Sequence, residues 1–175
     1  MAEDEEGAGV AARLGDALRE SGGTLATAES CTGGLVAARV TAVPGASDYF
    51  DRGVVTYAYD AKRELLGVTR EALDEHGAVS GPVARQMARR VRDLADTTWG
   101  LSVTGIAGPT GGTEEKPVGT VYLGVAYAGE WGSGESYAAF ERRHFDGDRG
   151  SVKEQAAHGA LELLAAHVSA RRHGR

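Results

Sequence analysis

Ser30 lies within the segment ESCTGG at 29–34, where a short β-capable stretch meets a predicted helix. A helix N-terminus presents free backbone N–H groups and a partial positive charge, which suit a phosphate or a developing oxyanion. Gly33 and Gly34 would let a ligand approach the backbone, and Thr32 adds a second hydroxyl at the same point. The segment is therefore a candidate nucleophile beside an anion-binding turn, although a simple helix N-cap explains its hydroxyls equally well.

Tyr57 and Lys62 form a second candidate pair, five residues apart, near the end of a predicted strand. A lysine whose pKa is lowered by burial can act as the base for a serine nucleophile. Taken alone, Lys62 fits a solvated surface lysine better than a catalytic one. The five histidines have the spacing of neither a catalytic triad nor a metal site, so they indicate no alternative base. They are His76, His144, His158, His167 and His173.

A glycine-rich loop at 107–117 follows a buried strand predicted at 99–106. The loop matches neither a P-loop nor a dinucleotide-binding fingerprint. Ligands of α/β folds usually bind at the carboxyl ends of the strands, so this loop and the preceding Thr104 are candidates for a substrate-binding edge. A long mobile surface loop is the alternative interpretation.

Helical and extended segments alternate along most of the chain. The helix after Ser80 is predicted to bury Val83, Met87, Val91 and Leu94. Interleaved elements, with two adjacent strands late in the chain, predict a three-layer α/β/α sandwich around a mixed β-sheet. We expect one domain over 1–175, with flexible termini at 1–8 and 170–175. The other helices are predicted at 9–21, 35–43, 60–66, 70–76 and 151–168, and the strands at 24–29, 49–59, 99–106, 118–128 and 135–145.

Charge and cysteine content narrow the possible partners. The 175-residue chain has a net charge of −6, which argues against nucleic acid because phosphate backbones need a basic face. A single cysteine excludes an internal disulfide framework. The sequence contains neither signal-peptide features nor an apolar run of membrane-spanning length, so no membrane partner is expected and the cytoplasm is the expected compartment.

Five motifs occur in a fixed order. They are TAESCTGG at 27–34, GVVTY at 53–57 with Lys62, HGAVS at 76–80, TGIAGP at 104–109 continuing to EEKPVGTV at 114–121, and FDGDR at 145–149. Together they resemble the CinA C-terminal-domain family, with matching order and spacing from about residue 9 to residue 168. The chain is similar to the stand-alone form, which lacks the larger N-terminal domain of some members.

The resemblance implies nicotinamide-nucleotide amidohydrolase (NMN deamidase) activity. Nicotinamide mononucleotide and water would give nicotinate mononucleotide and ammonia, a step of pyridine nucleotide salvage. The family's serine, lysine, tyrosine, threonine and arginine correspond here to Ser30, Lys62, Tyr57, Thr104 and Arg149. The other predicted substrate-binding residues are Thr32, Gly33, Gly34, Ser47, Gly105, Ala107 and Gly108. Neither a metal nor a cofactor is expected.

The mechanism expected from these positions is attack by Ser30 on the carboxamide carbon, with Lys62 as the base. Tyr57 would hold Lys62 or relay its proton, and Thr104 would orient the nucleophile or the amide. Backbone N–H groups near Thr32, Gly33 and Gly34 are candidates for the oxyanion hole. Arg149 would bind the phosphate, since its planar fork suits bidentate contact.

Several alternatives remain open at this level. Arg149 could instead form a surface ion pair with Asp146 or Asp148. Cys31 is a chemically reasonable nucleophile at a helix start, but neighbouring residues at a strand end face opposite ways, and the resemblance selects Ser30. The protein could also be a non-catalytic nucleotide-binding or regulatory module of the competence/damage-inducible type, or act on another small amide. A small-molecule nucleotide is the expected partner, and association into a homo-oligomer is undecided.

Overall fold

A five-stranded mixed β-sheet forms the centre of the protein, in the order β2-β1-β3-β4-β5. The computed structural model describes residues 2–173, and the side chains of residues 9–172. Strands β2, β1 and β3 run parallel, whereas β4 and β5 are antiparallel to their neighbours. The strands are β1 (Leu25–Glu29), β2 (Phe50–Val55), β3 (Trp99–Gly105), β4 (Thr120–Tyr127) and β5 (Tyr137–His144).

Six α-helices cover the two faces of this sheet within the described residues. They are α1 (Ala2–Ser21), α2 (Leu35–Thr41), α3 (Tyr59–Leu66), α4 (Arg70–His76), α5 (Gly81–Ala95) and α6 (Arg149–His173). Helices α1, α2 and α6 pack on one face, and α5 packs on the other with α3 and α4 beside it. The predicted three-layer α/β/α sandwich around a mixed sheet is confirmed.

Alternating side chains of the strands supply both hydrophobic cores. Leu25 of β1 points to the core under α1, α2 and α6, and the next residue, Ala26, points to the core under α5. Helix α6 packs against the same core as Leu25, where it buries Val152, Ala156, Ala160, Leu163 and Leu164. In α5, Val83, Met87 and Val91 are buried, but the prediction for Leu94 is wrong, because its side chain is 50% exposed.

Several element boundaries differ from the predicted ones. Strand β2 ends at Val55 and α3 begins at Tyr59, so the predicted strand at 49–59 contains both a strand and a helix start. Thr56 N still donates to Glu29 O (2.8 Å), which makes it the last rung of the ladder before the chain leaves the sheet. Helix α1 begins before residue 9, and α6 extends five residues past Val168.

Glycines in the central strands allow α5 to lie directly on the sheet. A Cβ on Gly100 of β3 would come within 2.0 Å of Ala88 O, and one on Gly124 of β4 within 2.4 Å of Ala84 O. Ser102, two residues after Gly100, is the β3 partner of Gly124, and its Oγ donates to Ala84 O (2.6 Å). The helix backbone therefore rests against the strand backbone at the point where β3 and β4 pair.

We predict that Gly100→Ala destabilises the fold, because the added methyl group would push α5 away from β3. Overpacking of this kind costs about 1–3 kcal/mol, which urea denaturation would measure as a lower free energy of unfolding. Gly9→Ala is the matched control, since Gly9 lies in helix α1 and a Cβ there meets only the flexible end of Arg13. Equal stabilities of the two variants would contradict the close packing of α5.

Candidate active site

A cleft of about 360 Å³ opens at the carboxyl ends of β1 and β3. The chain after β1 enters α2 on one face of the sheet, whereas the chain after β2 reaches β3 through α5 on the other face. Such a reversal creates a crevice between neighbouring strand ends, where α/β folds place ligands. The lining residues are Ser30, Cys31, Tyr57, Lys62, Ala78, Val79, Thr104, Gly105, Ile106, Ala107, Gly108, Thr110, Gly111 and Arg149.

Ser30 and Lys62 meet inside this cleft. Lys62 Nζ lies 3.0 Å from Ser30 Oγ, 2.7 Å from Thr56 O and 3.2 Å from Tyr57 O. Lys62 is 1% exposed and Ser30 8% exposed, so the contact is shielded from solvent. The surface-lysine interpretation of Lys62 is therefore wrong, because helix α3 directs its side chain inward under the end of β2.

The surroundings of Lys62 favour its neutral form. Burial lowers the pKa of Lys62 below its ordinary value, and interaction with the Cys31 thiol opposes this shift more weakly. A neutral amine has two N–H groups and one lone pair. The carbonyls of Thr56 and Tyr57 accept the two N–H groups, which leaves the lone pair for the Ser30 hydroxyl. This is the arrangement of a general base on a nucleophile.

Cys31 also lines the cleft but is a poor nucleophile there. Burial raises the pKa of the Cys31 thiol to about 12, with smaller opposing effects from its own backbone N–H group and from Lys62. A thiol with that pKa is protonated at neutral pH, and the thiolate is the reactive form. The environment therefore favours the Ser30 hydroxyl over Cys31.

The carboxylate of Glu29 is buried and occupies the N-terminus of α2. It accepts bonds from Thr32 Oγ1 (2.6 Å) and from the backbone N–H groups of Gly34 (3.1 Å), Val36 (3.1 Å) and Ala37 (2.9 Å). An acidic group at this position satisfies unpaired donors and interacts favourably with the helix dipole. Sequence reasoning missed this role, although a glutamate that ends a buried strand just before a helix is a recognisable signal.

The hydrogen bonds of Glu29 involve the turn after Ser30, which the sequence predicts to bind an anion. Gly34 N and the Thr32 hydroxyl are bound by Glu29, and Gly33 N donates to Ser30 O (3.1 Å). The structure thus uses these groups inside the protein and does not direct them at a ligand, contrary to the oxyanion role expected of the backbone N–H groups of Gly33 and Gly34. The turn instead fixes the backbone of Ser30, whose N–H also donates to Val103 O (2.9 Å).

Arg149 connects two walls of the cleft. Its Nη1 donates to Gly108 O (2.6 Å) and its Nη2 to Tyr57 Oη (2.8 Å). Arg149 forms an ion pair with neither Asp146 nor Asp148. Asp146 Oδ1 lies 3.3 Å from His144 Nε2, and Asp148 Oδ1 accepts from Ser151 N (2.8 Å). Arg149 is therefore held at the mouth of the cleft by the glycine-rich loop and the β2–α3 connection.

The hydrogen bonds of Tyr57 and Thr104 define what each residue contacts at the cleft. Tyr57 holds Lys62 through its carbonyl, whereas its hydroxyl accepts from Arg149 and its side chain is 60% exposed at the cleft. Thr104 Oγ1 donates to Ala78 O (2.8 Å), so its hydroxyl can only accept further bonds. Thr104 thereby holds the loop between α4 and α5 against the cleft.

Ser47 is not brought to the cleft. It lies in a 3₁₀-helix (Ala46–Asp48) before β2, where it lines a separate cavity with Pro44 and Phe50. At about 3.3 Å per residue, the six residues of β2 place Ser47 roughly 20 Å from the carboxyl edge. The substrate-binding prediction for Ser47 is therefore not supported, because the parallel strands carry the segments before and after β2 to opposite edges of the sheet.

The comparisons with known proteins agree with the motifs. A family model described as the CinA C-terminal domain matches residues 8–168. The chain belongs to the CinA C-terminal domain family. A CinA-like protein of Citrifermentans bemidjiense is 51% identical over 160 residues, which cover 91% of this chain and 37% of that protein. One of Salinibacter ruber is 54% identical over 150 residues, covering 85% and 34%. The chain thus spans about a third of the length of the curated relatives it matches.

Solved CinA structures share the fold over nearly the whole chain. The competence/damage inducible protein CihA of Agrobacterium tumefaciens is 39% identical, with a TM-score of 0.85 over 92% of this chain and 94% of that chain. The competence damage-inducible protein A (ComA) of Klebsiella pneumoniae is 34% identical, with a TM-score of 0.86 over 93% and 97%. The mixed sheet with helices on both faces is therefore a property of the CinA fold.

Within the described part of the chain, no group of three or more His, Cys, Asp or Glu side chains is placed to hold a metal ion. In the same part, no helix has the length and apolar character to cross a membrane. A larger cavity of about 560 Å³ lies between α5 and β5, is lined by several arginines, and contains none of the predicted site residues.

We predict that Glu29→Gln lowers the free energy of unfolding by about 2–4 kcal/mol, because an amide turns an NH₂ group toward buried donors that need an acceptor. Urea denaturation at neutral pH would measure the loss. Glu64→Gln, on the exposed surface of α3, is the control and should be nearly neutral. Similar unfolding midpoints for the two variants would show that Glu29 does not stabilise the start of α2.

Proposed function

We propose that this chain is a nicotinamide-nucleotide amidohydrolase, which converts nicotinamide mononucleotide and water to nicotinate mononucleotide and ammonia. The observation that carries the proposal is the buried Lys62 amine, which lies 3.0 Å from Ser30 Oγ and within hydrogen-bond distance of two backbone carbonyls. This arrangement supports acyl transfer from an amide. The nicotinamide nucleotide as substrate rests on the family resemblance.

The first half of the reaction forms an acyl-enzyme. Ser30 Oγ attacks the carboxamide carbon while its proton passes to Lys62 Nζ. The tetrahedral intermediate then collapses, the C–N bond breaks, and the departing nitrogen takes the proton from Lys62 to leave as ammonia. Thr104, whose hydroxyl has lone pairs but no free hydrogen, is placed to accept an N–H of the carboxamide.

The second half restores the enzyme. Water attacks the ester carbon, Lys62 accepts its proton, and the nicotinate leaves as Ser30 Oγ regains a hydrogen from Lys62. The same buried amine therefore serves both half-reactions. The oxygen of the water becomes one oxygen of the product carboxyl group, and the amide nitrogen leaves as ammonia.

The main rival is a non-catalytic nucleotide-binding or regulatory module. Such a module would have no use for a buried, pKa-lowered lysine aligned with a serine hydroxyl, because burying an amine without an ion-pair partner disfavours its charged form and costs stability. Ammonia release from nicotinamide mononucleotide by the purified chain separates the two. The absence of any release, with a folded protein and saturating substrate, would reject the enzyme.

We predict that Ser30→Ala lowers kcat by at least about a thousandfold, since the acyl-enzyme cannot form without its oxygen. Cys31→Ala should keep most of the activity, because the Cys31 thiol is protonated and buried. Steady-state ammonia release would measure both variants, with circular dichroism to show that they are folded. The reverse ranking would assign the nucleophile to Cys31.

We predict that activity falls as the pH is lowered through the pKa of Lys62. Burial lowers this pKa, so the neutral base forms at a lower pH than for an ordinary lysine, and protonation below it removes the lone pair that faces Ser30. Profiles of kcat/KM against pH would show this ascending limb. Lys62→Met should lose about two to four orders of magnitude, and near-normal turnover in that variant would assign the base elsewhere.

We predict that Arg149→Ala impairs turnover of nicotinamide mononucleotide far more than turnover of nicotinamide riboside, which lacks the phosphate. The lost contact would be a charge-assisted bond to a dianion. Comparison of kcat/KM for both substrates measures the difference. An equal loss on both would mean that Arg149 acts only by joining Tyr57 to Gly108.

A further inference from the structure

Lys153 is a cation near the turn that follows Ser30. It is not among the residues that line the cleft, and the mechanism above does not use it. It follows Arg149 by four residues in α6, so the two side chains leave the same face of the helix with Cβ atoms about 5–6 Å apart. A Cβ built on Gly33 would lie 3.8 Å from Lys153 Nζ. The ammonium group therefore reaches from α6 to the turn that follows Ser30.

The charge of Lys153 is available to a ligand. Among residues 9–172 its ammonium has neither an ion pair nor a hydrogen bond. Its neighbour Glu154 is paired with Arg39, and Asp148 accepts from Ser151 N at the start of α6. The effect of its charge reaches the cleft, since Lys153 is among the groups that lower the pKa of the Cys31 thiol against the larger effect of burial.

Arg149 has donors left for the same ligand. A guanidinium has five N–H groups, and one at Nη1 and one at Nη2 are used by Gly108 O and Tyr57 Oη. These two bonds fix the orientation of the guanidinium before a ligand arrives. The remaining donors and the Lys153 ammonium lie on one side of α6, which favours an anion with several oxygens.

The cleft has a buried inner end and an exposed mouth, and this difference sets the direction in which a substrate would bind. Ser30 is buried at the inner end, whereas Arg149 is exposed at the mouth. The N-terminus of α2, which could otherwise attract an anion, is already occupied by the carboxylate of Glu29. A substrate whose amide reaches Ser30 therefore places any terminal anion toward α6.

We propose that Lys153 and Arg149 together form a phosphate-binding subsite at the mouth of the cleft, and that Lys153 helps to select a substrate carrying a phosphate monoester. The subsite deepens the proposed function and rests on it for the identity of the whole substrate. Lys153 contributes a mobile point charge, and Arg149 contributes a planar fork of fixed orientation.

The test uses ribose 5-phosphate, which has the phosphate and sugar but no amide. Isothermal titration calorimetry should show that Lys153→Gln weakens its binding about tenfold, the loss of one charge-assisted bond in a partly exposed site. The KM for nicotinamide mononucleotide should rise by a similar factor, while kcat/KM for the riboside stays unchanged. Lys153→Arg should restore most of the affinity for ribose 5-phosphate.

Arg13→Gln is the matched control, because it removes one positive charge from the exposed surface of α1, outside the residues that line the cleft. It should bind ribose 5-phosphate as the wild type does. Lys153→Met, which keeps the apolar stem, is the second variant if the glutamine variant is unstable, and thermal melting checks both.

Wild-type affinity for ribose 5-phosphate in both Lys153 variants would overturn the subsite, as would no detectable binding to the wild type at millimolar concentration. The calorimetry separates this proposal from the catalytic one. If nicotinamide mononucleotide is deamidated but the Lys153 variants bind ribose 5-phosphate as the wild type does, the amidohydrolase proposal stands and the subsite is rejected. Lys153-dependent binding of ribose 5-phosphate without ammonia release would reject the amidohydrolase and keep the subsite.

Discussion

The burial of an unpaired amine is the constraint on which the site depends. Lys62 is removed from water, and none of the described carboxylates pairs with it. Burial therefore lowers the pKa of Lys62, so its lone pair becomes available to Ser30 at a lower pH than for an ordinary lysine. The carbonyls of Thr56 and Tyr57 make this burial tolerable by accepting its N–H groups. Their positions follow from the ladder between β1 and β2, whose last bond joins Thr56 N to Glu29 O.

The buried carboxylate of Glu29 affects where anions can bind. Glu29 occupies the start of α2, and its negative charge cancels the attraction that a free helix N-terminus would exert on a phosphate. The free positive charge near the cleft is therefore on the opposite wall, where α6 carries Arg149 and Lys153. One buried group thus orders the Ser30 backbone and, in the binding mode proposed above, leaves the charged end of the ligand to α6.

The sheet topology explains why these groups meet. Consecutive parallel strands β1 and β2 place Ser30 and Tyr57 at one edge, and the crossover through α5 brings Thr104 to the same edge at the end of β3. Gly100 and Gly124 let α5 lie against the sheet, so the loop before α5 reaches the cleft and Thr104 can bond to Ala78 O. The solved CinA structures have the same arrangement of sheet and helices.

The sequence by itself determined the α/β class, most helices and strands, and the candidates Ser30, Tyr57, Lys62, Thr104 and Arg149, because periodicity and motif spacing are local properties of the chain. It could not distinguish Lys62 from a surface lysine, reveal that Glu29 takes the donors near Gly34, or exclude Ser47. Those outcomes depend on burial, on competition for hydrogen-bond partners and on which edge of the sheet a segment reaches. Only the tertiary structure decides them, since each depends on residues that are distant in the sequence.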